Sequence, residues 1–268
     1  MRTPTLLPSK NTPVEVMTSK EALDLHIHLI QYDALGRRFN SEEENIVYHY
    51  TDIFAFSEIV RKGNIWASDY RTLNDKTELS FGLSIMEMSL AYRAEIPDLE
   101  EDLRSEVLEE LALARRGGGL GLYVFSASFC KKGNVLSQWR AYGRQDGIAI
   151  GFSRQYLEEK AAAGGFVTGP VFYYFEEGHN ASALIKSRLP ALRSQLKTQE
   201  SVDVPKEFQQ EIRDFGRTRI IRRWLAETAA FIKHPAFAEE VEWRCVLVAD
   251  THPTVDPSNG RPLPEVKT

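Results

Sequence analysis

An α+β fold, with a mixed or antiparallel sheet flanked by helices, is what this sequence predicts. Three observations carry the prediction. Strand-like and helix-like runs are mixed along residues 45–250 without the strict β-α-β rhythm of a parallel sheet. With 268 residues, 43% of them apolar, the chain can bury a sizeable core. Aromatics at 10% and charged residues at 26% are the proportions of an ordinary folded domain rather than a disordered one.

Taken in order, residues 1–16 are rich in Pro, Thr and Lys and are expected to be a disordered tail. Residues 17–44 read as a helical extension. Thr18 and Glu21 are spaced as a capping box at its start. His26 and His28 lie two apart in it, hence on different faces, and make a poor metal pair. A single catalytic-like domain is expected over 45–250, followed by a Pro-rich tail, 251–268. Within the domain, Ile46 to Thr51 reads as a strand, and Asp52 to Lys62 as a helix with apolar Ile53, Phe56, Ile59 and Val60 and Gly63 as its stop. Ile65 to Ala67 is a short strand, Lys76 to Tyr92 a longer helix, and an acidic helix ends at Arg116 before three glycines. Strands are expected at Leu120 to Phe129 and Gly147 to Phe152, then a helix capped by Ser153 and closed by Gly164-Gly165. Phe166 to Phe175 is strand-like, two basic helices follow, and Val241 to Ala249 is the last strand.

No apolar window is long enough to span a bilayer, and Met1 to Lys20 lacks the apolar core of a secretion signal, so a cytoplasmic protein without a membrane partner is expected. Cys130 and Cys245 sit in apolar runs, where reduced buried thiols are the simplest expectation. A reactive Cys130 thiolate, favoured by Lys131 and Lys132, is weakly supported, because no motif pairs it with a histidine. Net charge is −5, which disfavours a general nucleic-acid coat. The charge is uneven: Glu95 to Glu110 is acidic, and Lys186 to Arg223 is basic. The basic stretch is either a solvated helical face or a polyanion contact.

Four segments can carry chemistry. His49 and Thr51 lie two apart on the first strand, hence on one face, where it hands over to a helix N-terminus that favours negative charge. On the last strand, Glu240, Glu242 and Arg244 share one face, and Val241, Trp243, Cys245 and Leu247 the other. Those acids are candidates for perturbed groups at the mouth of a sheet, or else a plain surface ion-pair ladder between Glu242 and Arg244. The segment Leu136 to Gly143 concentrates Gln138, Trp139, Arg140 and Tyr142, which either meet a ligand or plug the core. In Thr72 to Glu78, Asp75 with Glu78 three residues later is explained as helix capping in preference to a metal or catalytic pair. Walker-type loops, the Gly-x-Ser-x-Gly elbow, Cys-x-x-Cys and His-x-x-x-His are all absent, so no zinc site is expected.

Taken together, Tyr48-His49-Tyr50-Thr51, Leu73-Asn74-Asp75, Ser137 to Gly143, Gly147 to Phe152 and Phe231 to His234 with Glu240 to Arg244 resemble a bacterial family catalogued as domain of unknown function 2971, over about Ile46 to Val248. His49-x-Thr51 and the late Glu240-x-Glu242 pair are also similar to motifs of ADP-ribosyltransferase folds. The middle motif of those enzymes has no clear counterpart. That second resemblance implies a split sheet around an ADP-ribosyltransferase-like cleft, with NAD as substrate. It implies that His49 and Thr51 hold the adenosine side and that Gln138, Trp139, Arg140 and Tyr142 form the nicotinamide side. Glu242 would be the catalytic carboxylate, with Glu240 orienting or deprotonating the acceptor. The acceptor would be a protein, a nucleic acid or, for a glycohydrolase, water. The alternatives are a nucleotide-binding or sensing module without turnover, and a nuclease holding magnesium through Asp75, Glu78, Gln138 and Glu242.

Overall fold

The computed structural model describes residues 28–29, 45–117, 119–143, 146–174, 180–201 and 209–250. The expected tails, and all but two residues of the expected N-terminal helical extension with its Thr18–Glu21 box, lie outside these residues. His28–Leu29 forms a short strand, β1, rather than helix. The elements that follow are β2 (Ile46–Asp52), α1 (Ile53–Lys62), β3 (Ser68–Asp69), α2 (Glu78–Ala91), α3 (Glu101–Gly117), β4 (Tyr123–Cys130), β5 (Gly147–Ser153) and α4 (Arg154–Ala163). Then come β6 (Val167–Pro170), β7 (Phe172–Tyr173), α5 (Asn180–Glu200), α6 (Gln209–Ala229), β8 (Ile232–Lys233) and β9 (Glu242–Ala249).

The fold is α+β. Its main sheet has the order β1-β5-β2-β4-β9-β6, with β3 added on β4, and every pairing in it is antiparallel. A small parallel ladder joins β7 to β8. Along the main sheet, β2 pairs with β5 from Ile46 to Asp52, and β4 pairs with β9 from Tyr123 to Cys130. Between those two halves the bridging is reduced to one pair, Tyr48 opposite Cys130. Beyond it a side chain replaces the ladder: the His49 Nδ1–H donates to the Ser128 carbonyl at 3.1 Å. The sheet is therefore split.

Local chemistry sets the boundaries. Asp52 accepts from the Ala55 N–H at 2.9 Å and starts α1, and Gly63 at φ 66° closes it. The strand expected at Ile65 to Ala67 falls three residues later, because Ile65 and Ala67 pack against the core as irregular chain while Ser68 and Asp69 meet β4. The strand expected over Phe166 to Phe175 is broken after Pro170, where Val171 turns its N–H to the Glu242 carbonyl at 3.0 Å.

Strand alternation sorts the core into two layers. Val124, Val246 and Val248 face a bundle of α2, α3, α5 and α6, whose centre includes Met86, Leu111, Leu192 and Leu225. Ala127, Phe129, Trp243 and Cys245 face the other side, covered by Phe56 and Ile59 of α1 and Leu157 and Ala161 of α4. In the bundle, α2 and α6 approach so closely at Gly82 that an added Cβ would lie 2.3 Å from the Ala229 carbonyl oxygen. Acids of α3 and of the residue before it pair with bases of α5 and α6: Arg193 with Glu100 at 2.9 Å, Arg217 with Glu106 at 2.5 Å and Arg222 with Glu110 at 2.6 Å. A polyanion would have to break those pairs to use these three arginines. No helix among the described residues is long and apolar enough to cross a membrane.

Candidate functional site

The split in the sheet opens into a cavity of about 460 Å³. Strand β2 brings His49 and Tyr50 to it, β4 brings Ser126 and Ser128, and β9 brings Glu242 and Arg244. The Leu73–Glu78 segment, Gln138, Tyr142, Lys233, Phe237 and Glu240 complete the wall. So the imidazole of an early strand, the Glu242 acid that opens the last one and Glu240 from the turn before it line one hollow. Gln138 and Tyr142 join them. Thr51 is buried but lies outside the lining, as do Trp139 and Arg140. Trp139 packs edge-on against Tyr50 and donates its Nε1–H to Asn134, and Arg140 is exposed.

The floor is a buried charge network centred on Arg244. Its Nε and Nη2 donate to the two oxygens of Glu242 at 2.6 and 2.8 Å. Its Nη1 donates to the Tyr70 hydroxyl and the Ala230 carbonyl, each at 2.7 Å, and pairs with Glu78 at 2.6 Å. Lys233 bridges the acids, donating to Glu240 at 2.6 Å and Glu242 at 3.0 Å with Glu78 at 3.4 Å. Glu242 and Arg244 do pair, as a ladder would have them, but in the interior: Arg244 is only 2% exposed. Glu78 likewise has more than a capping role. Thr77 and not Asp75 occupies the cap position before α2, Asp75 accepts from Thr77, and the buried Glu78 carboxylate turns to Arg244 and Lys233.

Among the described residues, no three acidic, histidine or cysteine side chains are grouped to hold a metal ion. Asp75, Glu78, Gln138 and Glu242 do all line the cavity, but the ammonium of Lys233 and the guanidinium of Arg244 stand between the acids. Cys130 is no activated nucleophile: burial pushes its thiol up, and its Sγ accepts the Lys132 N–H at 3.3 Å. The Ser126 hydroxyl, from a residue that lines the cavity, is buried and has no hydrogen-bond partner among the described residues.

Residues 138–245 match the family described as "Protein of unknown function (DUF2971)". Over that stretch the chain is similar to the DUF2971 family. No curated protein and no solved structure matches it. The resemblance read over Ile46 to Val248 is borne out from Gln138 to Cys245. That stretch contains Tyr142, Lys233, Glu240, Glu242 and Arg244, while His49 and Glu78 lie N-terminal to it. None of the comparisons brings in an ADP-ribosyltransferase.

Electrostatics divide the acids of the cavity. Burial pushes the Glu242 carboxyl up, but Arg244 and Lys233 outweigh it and hold it down at about 2. For Glu240 burial wins, and its carboxyl lies above the ordinary value despite Lys233. Burial also lowers the His49 imidazole, against the pull of the Nδ1 bond to the Ser128 carbonyl. Because Glu242 falls from 4.5 to about 2 on folding, its contribution is fully present above pH 4.5 and is lost as pH drops toward 2. That loss is about 3 kcal/mol. Glu240, shifted the other way, opposes it in part. Urea unfolding at pH 6 and pH 3 is expected to show this acid destabilisation in the wild type and a shallower one in Glu242→Gln.

Proposed function

We propose that this cavity binds NAD and cleaves its nicotinamide–ribose bond, as an NAD glycohydrolase or an ADP-ribosyltransferase. The observation that carries the reading is the shared hollow: His49, Glu240 and Glu242 line one cavity together with aromatic side chains. Two cations, Lys233 and Arg244, stand against three carboxylates, Glu78, Glu240 and Glu242, which leaves the floor one charge negative.

Nicotinamide in NAD is a planar cation. Exposed Tyr142 and half-buried Phe237 offer ring faces for it, and a negative floor favours it over a neutral ring. Cleavage moves positive charge from the ring to the ribose as an oxocarbenium-like centre. A preorganised anionic floor stabilises that centre without reorganising, which is where the rate would come from. The His49 imidazole, which lines the cavity, would meet a ribose hydroxyl. Water or a side chain of a protein or nucleic acid would be the acceptor.

One observation favours a second reading, nucleotide binding without turnover: Glu242 is already occupied by Arg244 and Lys233. The two separate in one experiment. Purified protein is incubated with NAD while nicotinamide release and calorimetric binding are followed. Release above the buffer rate supports cleavage, binding without release supports the sensing module, and neither binding nor release removes NAD from both.

A further inference from the structure

We infer that Glu240 is the carboxylate that works on the bound molecule, and that Glu242 is a positioning residue that holds the floor in place. The inference rests on the NAD-cleaving reading and narrows it to one acid. It reverses the expectation that Glu242 is the catalytic group.

Acceptor accounting decides between the two acids. An ionised carboxylate offers about four lone-pair sites. On Glu242, Arg244 takes one oxygen through Nε and the other through Nη2, and Lys233 shares the second. The Ser128 hydroxyl donates to the same group. Its backbone is engaged as well, with the N–H given to the Tyr173 hydroxyl at 2.9 Å and the carbonyl taken by Val171 at 3.0 Å. A ribose hydroxyl would have to displace one of these donors. Glu240 differs in each respect. Its Oε2 accepts from Lys233, its Oε1 has no hydrogen-bond partner among the described residues, and its side chain is 21% exposed against 7% for Glu242.

The backbone supplies an independent sign. Val241, between the two acids, has φ 43° and ψ 52°, and among the described residues it is the one non-glycine residue with positive φ. A β-branched residue there is strained. On a continuous strand Glu240 and Glu242 would stand side by side two residues apart. Instead Glu240 ends a 3-10 turn, Pro235–Glu240, and the left-handed residue swings the chain into β9. The Val241 carbonyl is fixed by the Lys131 N–H at 3.0 Å. The strained link separates an acid held by Arg244 and Lys233 from one held by Lys233 through a single oxygen.

The step balances with water as the second reactant. The ribose C1′–N bond breaks, and its electron pair leaves with nicotinamide, which becomes neutral. Water adds to C1′ and gives a proton to Glu240 Oε1, which then passes it to solvent. The products are ADP-ribose, nicotinamide and a proton. Burial keeps the Glu240 carboxyl above its ordinary value, which suits a group that must accept and return a proton near neutral pH.

The test compares wild type, E240Q and E242Q with NAD, and maps carbodiimide labelling of the full chain by mass spectrometry. E240Q is expected to keep KM within a few-fold and to lose kcat by about 10²–10³-fold. E242Q is expected to melt lower and to keep kcat within about tenfold of wild type. Carbodiimide should modify Glu240 and spare Glu242, with NAD protecting Glu240. Unchanged kcat in E240Q, abolished kcat in a folded E242Q, or labelling of Glu242 in preference to Glu240 each overturns the assignment. If E242Q does not fold, the labelling arm still decides. Wild-type protein that neither binds nor cleaves NAD brings down the parent reading, and the assignment with it.

Discussion

Replacing Arg244 by methionine is expected to lower the unfolding free energy by about 3–5 kcal/mol. The guanidinium neutralises Glu242 through two bonds, pairs with Glu78, and satisfies the Tyr70 hydroxyl and the Ala230 carbonyl. Methionine fills much of the same volume, so the cost comes from stranded partners and not from a hole. Two carboxylates would be left in the interior with Lys233 as their one remaining cation. Desolvated anions in that position protonate or draw in water, and either loosens the join between β9, α2 and the Ala230 turn. The double variant Arg244→Met with Glu242→Met should recover part of the loss, because removing both members of a buried pair is far cheaper than removing one. Equilibrium urea unfolding of the single and double variants measures both. Additive losses would show that the two side chains are not energetically coupled.

Trp243→Ala is expected to cost a similar amount, about 3–5 kcal/mol, by a different mechanism. The indole lies between Glu242 and Arg244 in sequence but on the other face of β9. There it is 1% exposed and meets Phe129 edge-on at 5.7 Å between ring centres. Its removal leaves a void in the layer under α1 and α4, while the charge network on the opposite face stays intact. The discriminating measurement is the dependence of unfolding free energy on pH. Trp243→Ala should shift the whole curve down with its acid-side slope unchanged, whereas Glu242→Gln should flatten that slope. A flattened slope in Trp243→Ala would show that the two faces are not independent.

Much of the fold was legible because it rests on local rules. Asp52, Gly63 and Ser153 act on their own neighbours, and the helices and strands they bound came out within a few residues of expectation. The alternation of Glu242 and Arg244 against Trp243 and Cys245 likewise follows from strand geometry alone. The pairing of distant elements was not legible. Nothing near Glu78 announces Arg244, which lies far along the chain on the last strand, so a buried ion pair looked like a helix cap. Lys233 carried the one signal that a sequence can give: a lone cation directly after the apolar run Ala229 to Ile232. A charge in such a setting has to find partners. His49 and Thr51 were paired by strand period, but the cavity takes only His49, because its place beside the gap in the sheet is fixed by Ser128 of another strand. Trp139 had looked ready for a ligand, yet Tyr50, far away in sequence, claims its ring.

Tyr48 opposite Cys130 is the single rung by which the two half-sheets are laddered together. The halves are otherwise held by side chains and by helices packed on either surface. A guest lodged in the gap therefore does more than occupy it: its polar edges stand in for missing backbone rungs, and it works as mortar between two leaves. Occupied protein should then resist opening as a single slab, whereas empty protein carries a seam along its middle.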